Sequence, residues 1–446
     1  MEHVHSKNVR SCRDAVRVGA IDRAGVECRG HGFRWALAAI GLALSAAFIA
    51  ARSSHADSAY SAIQRGRYLV RAGDCAACHT AEGGKPFAGG RAVPTPFGIL
   101  YSTNITPDKD TGIGDWTDAD LYRAMHSGIA RDGSHLYPAF PYPWYTRVTP
   151  DDVSAIKLYL ETLEPVRQPD RPNRLPWPFD VRGLMAVWNS MYFDQGTFRR
   201  DPKKSDAWNR GAYLVNGLGH CGACHTRKNF AGAADSDHPF QGGHGENAFA
   251  PDLTGDLRDG LGGWSVAEIA EYLKTGSNDK SSAAGPMAEV VSHSTQYLSD
   301  ADLDAIATYL KGFQRTREND REEDETRVAE NDITTRGAAI YADDCSGCHM
   351  AHGEGLASVF PPLRGSSAIQ AEQPDTLVRV LLGGAEIPPT GTKPTGFAMP
   401  AFDGKLDDAE IADVLTYIRN AWGNHASAVS AGAVADMRKQ MKHKGG

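Results

Sequence analysis

Cys75-Ala76-Ala77-Cys78-His79, Cys221-Gly222-Ala223-Cys224-His225 and Cys345-Ser346-Gly347-Cys348-His349 repeat one pentapeptide pattern three times along the 446 residues. The pattern constrains the fold more than any composition figure. Two cysteines three apart on an incipient helical turn can form thioethers to the two vinyl groups of a haem, and the next residue places an imidazole beneath the iron as proximal ligand. A zinc site would need its cysteine pairs to converge on one tetrahedron, which an odd number of pairs fits badly. A redox dithiol has no need of a following histidine, and all three copies carry one. The reading is three covalently bound haem c groups, held by Cys75, Cys78, Cys221, Cys224, Cys345 and Cys348, with His79, His225 and His349 on the metal.

Thioether attachment of haem takes place outside the cytoplasm, and the N-terminus agrees. Arg29 and Arg34 precede an apolar stretch from Trp35 to Ala51, and Ser54-His55-Ala56 follows as a small-residue cleavage site. Residues 1–56 read as an export segment cut after Ala56. The alternative is an uncleaved anchor, but the stretch falls short of the roughly 20 residues of a spanning helix. The two remaining cysteines, Cys12 and Cys28, lie in this segment, so the mature chain is expected to have no disulfide. The segment holds eight Lys/Arg and four Asp/Glu, so its loss takes the formal charge from -8 to about -12. Such a balance argues against nucleic acid as a partner.

Each motif sits in a longer repeat. A glycine-bearing helix precedes it: Gly66-Arg67-Tyr68-Leu69-Val70, Gly211-Ala212-Tyr213-Leu214-Val215 and Gly337-Ala338-Ala339-Ile340-Tyr341. A middle helix ends at Gly128, Gly276 and Gly383, and a final helix carries Leu158-Tyr159-Leu160, Tyr309-Leu310 or Tyr417-Ile418. Thr149 before Pro150, Ser299, and Asp407 with Glu410 are start signals for the final helices. The first and last helices of each repeat are expected to cross at the glycine. The chain is therefore predicted to be all-α, with haem domains at 57–164, 206–314 and 332–424. A proline-rich linker with a short helix at Leu184–Phe193 spans 165–205, a charged linker spans 315–331, and 425–446 is a tail. That tail reads equally well as an amphipathic surface helix or as a helix packed on its own domain.

A low-spin electron-transfer haem needs a second axial ligand, and a thioether sulfur raises its potential. Met399, before Pro400, and Met287, after Gly285-Pro286, are expected in loops on the far side of the third and second haems. In the first repeat, Tyr137-Pro138-Ala139-Phe140-Pro141 puts a phenylalanine at the matching place. Met125 is the nearest methionine there, although it aligns with the core positions Leu273 and Leu381; His126 and His135 are further candidates.

These motifs, the run from Trp208 to His220 before the second one and Asn104-Ile105-Thr106-Pro107-Asp108 after the first resemble the triheme cytochrome c subunit of membrane-bound alcohol dehydrogenases. The likeness covers residues 60–424 and extends to the subunits serving gluconate, fructose and sorbitol flavin dehydrogenases and some molybdenum-containing enzymes. The resemblance implies three tandem class I cytochrome c-like domains and an electron relay with no substrate chemistry of its own. A separate catalytic subunit of PQQ, FAD or molybdenum type would supply electrons, and ubiquinone or a terminal oxidase would receive them at the periplasmic face of the bacterial inner membrane. Membrane contact would be peripheral. Phe140 departs from the methionine of many alcohol-oxidising members. Two other classes compete: a self-contained multihaem enzyme acting on peroxide or thiosulfate, favoured by Phe140 alone, and a cytochrome subunit of a terminal oxidase, which would keep an anchor helix. The residues offer no dinucleotide fingerprint, because Gly83-Gly84 and Gly89-Gly90 are loop glycines.

Overall fold

Glycine at the middle of each opening helix fixes how the repeats are built. In the computed structural model, which describes residues 58–245, 248–314 and 332–442, a side chain at Gly66 would overlap the Ala155 carbonyl and crowd Tyr159 Cβ. Gly211 meets Ala305 and Tyr309 in the same way, and Gly337 meets Asp413 and Tyr417. Only a residue without Cβ permits so close a helix crossing. The expected export segment 1–56, with Cys12 and Cys28, and the charged linker 315–331 lie outside the described residues.

The first repeat comprises α1 (58–72), α2 (Cys75–His79), β1 (Ala92–Thr95), β2 (Gly98–Tyr101), α3 (Asp118–Ser127), α4 (Tyr142–Tyr145) and α5 (Pro150–Leu160). The linker helix is α6 (Leu184–Tyr192). The second repeat follows with α7 (Asp206–Asn216), α8 (Gly222–His225), β3 (Gln241–Gly245), β4 (Ala248–Asp252), α9 (Val266–Thr275), α10 (Pro286–His293) and α11 (Asp300–Leu310). The third has α12 (Asp332–Asp344), α13 (Ser346–His349), α14 (Ser367–Gln370), α15 (Asp375–Gly383), β5 (Ala385–Ile387), β6 (Phe397–Met399), α16 (Asp408–Asn420) and α17 (Ala431–Lys442).

The expected caps are in place. Thr149 accepts from the Asp152 amide and Ser299 from the Asp302 amide, while Asp407 and Glu410 form a reciprocal capping box. Middle helices α3 and α9 also carry capping boxes, from Thr117 and Ser265, and end on left-handed Gly128 and Gly276. In the third repeat the helix ends at Gly383, as expected, and the positive-φ residue Gly384 follows it.

Two-stranded antiparallel ribbons correct the all-α expectation: β1 with β2, β3 with β4, and β5 with β6. Their registers pair Val93 with Leu100, His244 with Phe249 and Glu386 with Ala398. They escape a reading by periodicity because three to five residues give almost no alternation, and Pro94 and the Gly242-Gly243 pair weaken any strand signal.

The repeats do not pack as three equals. Leu69, Val70, Val153, Ile156 and Leu160 of the first share one buried core with Leu214, Val215, Leu303, Ile306 and Leu310 of the second. Each such side chain contributes roughly 1.5–3 kcal/mol when fully buried. Polar contacts across this seam are reciprocal: the Tyr68 hydroxyl donates to Asp302 at 2.6 Å and the Tyr213 hydroxyl donates to Asp152. Each hydroxyl also accepts from the amide of the partner helix's capping residue, Ser299 at 3.1 Å and Thr149 at 3.2 Å. The third repeat has its own core of Tyr341, Ile411, Val414, Leu415 and Ile418. Ala339 stands where the other two carry the bridging tyrosine. Polar contacts tie this repeat to the second, such as Thr376 Oγ1 to the Phe249 carbonyl at 2.8 Å, Gln370 Nε2 to the Arg258 carbonyl at 3.2 Å and Lys393 Nζ to the Ser277 carbonyl at 3.1 Å.

Helix α6 docks through its aromatics. Trp188 is buried and donates to the Ala231 carbonyl at 3.0 Å, and the Tyr142 hydroxyl donates to Asn189 at 2.5 Å, so the helix ties the first repeat to the second. The tail resolves in favour of packing: Val434 and Met437 of α17 are buried, and Arg438 pairs with Asp408 at 2.7 Å. Among the described residues no helix is long and apolar enough to cross a membrane.

Candidate metal centres

Each motif folds as a single helical turn, and the turn delivers its histidine in one way three times. His79 Nδ1 lies 2.7 Å from the Thr103 carbonyl, His225 Nδ1 2.8 Å from that of Pro251, and His349 Nδ1 3.0 Å from that of Pro361. A carbonyl can only accept, so Nδ1 carries the proton and Nε2 keeps its lone pair for a metal. Burial lowers the pKa of all three imidazoles, holding them in the neutral form that ligates.

The carbonyls come from a shared loop design in the first two repeats. Thr103 precedes Asn104, whose Oδ1 accepts from the Thr106 amide at 2.9 Å; Pro251 precedes Asp252, whose Oδ1 accepts from the Thr254 amide at 2.5 Å. Asn104 Nδ2 further binds the Val166 carbonyl at 2.7 Å, which pins the proline-rich linker across the loop.

None of the six motif cysteines is in a disulfide. Burial pushes the Cys75 and Cys221 thiols up to about 12 and Cys345 up to about 11, so without a bound group all three stay protonated at neutral pH. No group of His, Cys, Asp or Glu able to hold a bare metal ion occurs among the described residues. The donor set fits iron porphyrin: two thiols for the vinyl groups, an imidazole with one committed nitrogen, and apolar walls. A cavity of about 3300 Å³ runs from Cys75 and His79 past Trp144 to Cys224, large enough for more than one such group.

The distal candidates land as follows. Met125, on α3, is buried and lines the cavity together with His79 and Phe140. Phe140 turns its ring onto the edge of Tyr145 at 5.4 Å. His126 also holds Nδ1 2.9 Å from a carbonyl, that of Thr146, but its ring is stacked on Tyr122 at 4.8 Å and it is not among the residues that line the cavity with His79. His135 sits on a bridged turn opposite Ile129. Met287 was expected in a loop but lies in the first turn of α10, because Pro286 at the first helical position starts a helix there. Met399 likewise ends β6 rather than standing in a loop, and it packs against the third core.

Two further residues stand close to the sites without any mark in the motif pattern. Arg91 donates to the Ala77 carbonyl inside the first motif at 2.6 Å and to Glu289 at 2.8 Å, joining that motif to α10. His220, immediately before Cys221, takes a left-handed backbone with φ of 35° and turns its ring toward the first repeat. Neither leaves a signature in spacing, because both act across repeats.

Three haem sites of this construction on crossed helices define a multihaem c-type electron carrier. The chain belongs to the cytochrome c family, whose model matches residues 63–164, 209–314 and 334–422. It is 40% identical to the gluconate 2-dehydrogenase cytochrome c subunit of Pantoea cypripedii, across 84% of this chain and 89% of the relative. It is also 40% identical to the cytochrome c subunit of the quinone alcohol dehydrogenase of Gluconobacter oxydans, across 91% of this chain and 87% of the relative. The fructose dehydrogenase cytochrome subunit of Gluconobacter japonicus is 37% identical, across 84% of this chain and 82% of the relative.

Proposed function

We propose that this protein is the electron-transfer subunit of a periplasmic, membrane-associated dehydrogenase complex. A separate catalytic subunit oxidises an alcohol, aldehyde, sugar or sugar acid, and the three haems relay its electrons to ubiquinone or a terminal oxidase. The observation that carries this is the triple placement of an imidazole with Nδ1 on a backbone carbonyl, beside two cysteines, in one chain. The likeness to subunits named for gluconate, alcohol and fructose dehydrogenases supports the partner, and their variety leaves its prosthetic group open among PQQ, FAD and molybdenum. Export follows from thioether chemistry, and attachment to the inner membrane is through the complex.

The proposed ligand set is His79, His225 and His349 on the proximal sides, with Met287 and Met399 as distal ligands of the second and third haems and Met125 of the first. Haem supplies one-electron chemistry when bound. The chain's own residues tether it, hold each imidazole in one tautomer and line the cleft with apolar walls. We propose the bounds 57–164, 206–314 and 332–424 for the three haem-bearing segments.

The test is co-purification from native membranes, followed by identification of the partner's cofactor. Substrate added to the complex is expected to reduce the haems, and the isolated chain is expected to be inert toward peroxide and thiosulfate. Turnover of either compound by the isolated chain would replace the relay with a self-contained enzyme.

A further inference from the structure

The linker between the first two repeats carries apolar side chains outward as well as inward. Helix α6 runs from Leu184 to Tyr192 without one charged residue, whereas a surface helix ordinarily turns polar residues to water. Its inner side is occupied: Trp188 is buried, and Met185 and Tyr192 pack beside it. Leu184, Val187 and Met191, spaced three and four apart, share a second side, and all three are exposed. The chain leading into α6 adds Trp177, 82% exposed, with Phe179 and Val181 also in the open. Phe230, 92% exposed, joins from the second repeat. The pieces are contiguous, because the Phe179 ring lies 5.0 Å from that of Phe97, Phe97 lies against Gly232, and Trp188 bonds to Ala231 in the same turn as Phe230. Trp177 and Val181 are not among the residues that line the haem cavity, so haem in the cavity does not cover them. A continuous apolar patch of this kind marks a surface that something covers.

Charge says what covers it. The linker 165–205 carries eight Lys/Arg against four Asp/Glu, a net of +4 in a chain whose formal charge is -8. Arg171, Arg174 and Arg182 are exposed around Trp177 and Phe179, with Asp170 and Asp180 between them. Arg171 lies over the Tyr101 ring, while Arg182 lies over the Tyr137 ring and donates to the His135 carbonyl at 3.0 Å, so both spend their contacts on neutral partners. Cations interleaved with exposed Trp, Phe, Val and Leu are the chemistry of a surface that meets anionic lipid headgroups and the acyl boundary beneath them. Rings that stand as far out as Trp177 and Phe230 seat in a yielding interface, where Trp finds both an apolar and a polar layer.

We propose that this patch is a lipid-binding surface, which seats the chain on an anionic phospholipid bilayer with Trp177 and its neighbours inserted among the headgroups. The inference rests on the reading of a membrane-associated complex and deepens it, because it gives that complex a direct contact with lipid.

The test uses the mature, three-haem chain without its partner, floated with vesicles of phosphatidylethanolamine and phosphatidylglycerol and, in parallel, with vesicles of phosphatidylcholine alone. The wild type is expected to float with the anionic vesicles, severalfold less with the neutral ones, and less as salt is raised. Trp177→Glu combined with Val181→Glu is expected to lower binding about tenfold with haem content unaltered. Arg171→Gln combined with Arg174→Gln is expected to remove most of the salt dependence. Leu257→Glu, at an exposed apolar residue of the second repeat outside the patch, is expected to bind as the wild type does. Equal binding to both vesicle types would overturn the proposal, as would wild-type binding by the Trp177 and Val181 variant. Failure of the wild type to float, with that variant instead losing its catalytic subunit on co-purification, would assign the patch to a protein and overturn it too. Reduction of the haems by substrate is measured separately in the detergent-solubilised complex, where no bilayer is present; its absence there would sink the relay reading and not the lipid contact.

Discussion

A single backbone carbonyl decides what each motif histidine can do. By holding Nδ1, the carbonyls of Thr103, Pro251 and Pro361 leave Nε2 as the one free donor, so the imidazole meets a metal from a fixed direction. The opposite side is less uniform. Phe140 cannot coordinate, and Met125 is the buried sulfur that lines the same cavity as His79. Replacing Met125 with leucine, which preserves volume, is expected to turn the first haem high-spin while leaving the other two low-spin. Electron paramagnetic resonance of the purified variant reads this directly; an unaltered low-spin spectrum would remove Met125 from the ligand set. The motif cysteines and histidines were legible because attachment chemistry demands their spacing. The carbonyls were not, since a backbone acceptor has no residue type to betray it. The likeness of Asn104-Ile105-Thr106 to Asp252-Leu253-Thr254 takes on meaning only once the carbonyls that precede them are seen.

Pairs of crossed helices are the working elements, and glycine is what lets them cross. The contact of α7 with α11 forces Gly211 against the Ala305 carbonyl and Tyr309, and Arg210 locks the same crossing with a two-pronged bond to Asp302 at 2.7 Å. Burial alone would raise the Asp302 pKa, but the bonds from Arg210 and Tyr68 outweigh it and hold the carboxyl below its ordinary value. Gly211→Ala must push the helices apart, and is expected to lower stability by about 1–3 kcal/mol, the usual cost of overpacking. Urea unfolding of the haem-loaded variant against wild type measures it; an unchanged midpoint would show that the crossing yields freely. The helices and their caps could be read from Thr149, Ser299 and Asp407, because capping is a local exchange between neighbours in sequence. The ribbons could not, because strands of three to five residues are held by their turns and by the haem loops rather than by alternation.

At the scale of the whole molecule, three similar repeats make two packing bodies. Tyr68 and Tyr213 exchange bonds with Asp302 and Asp152 across a common apolar core, and Ala339 denies the third repeat the same exchange. A fragment ending at residue 314 is therefore expected to fold and to bind two haems, whereas one ending at residue 164 leaves Val153, Ile156 and Leu160 uncovered and is expected to aggregate or lose its pigment. Haem content and melting of the two fragments, exported under the same signal, check this; a stable one-haem product from the shorter piece would show that the shared core is dispensable. This asymmetry was invisible in the repeat pattern, which aligns three glycines and says nothing about which repeats share side chains. Its consequence concerns the last repeat. A terminal module held by hydrogen bonds and ion pairs, such as Arg227 to Glu372, and outside the common apolar core is expected to be separable from the front pair without disturbing that pair's internal spacing.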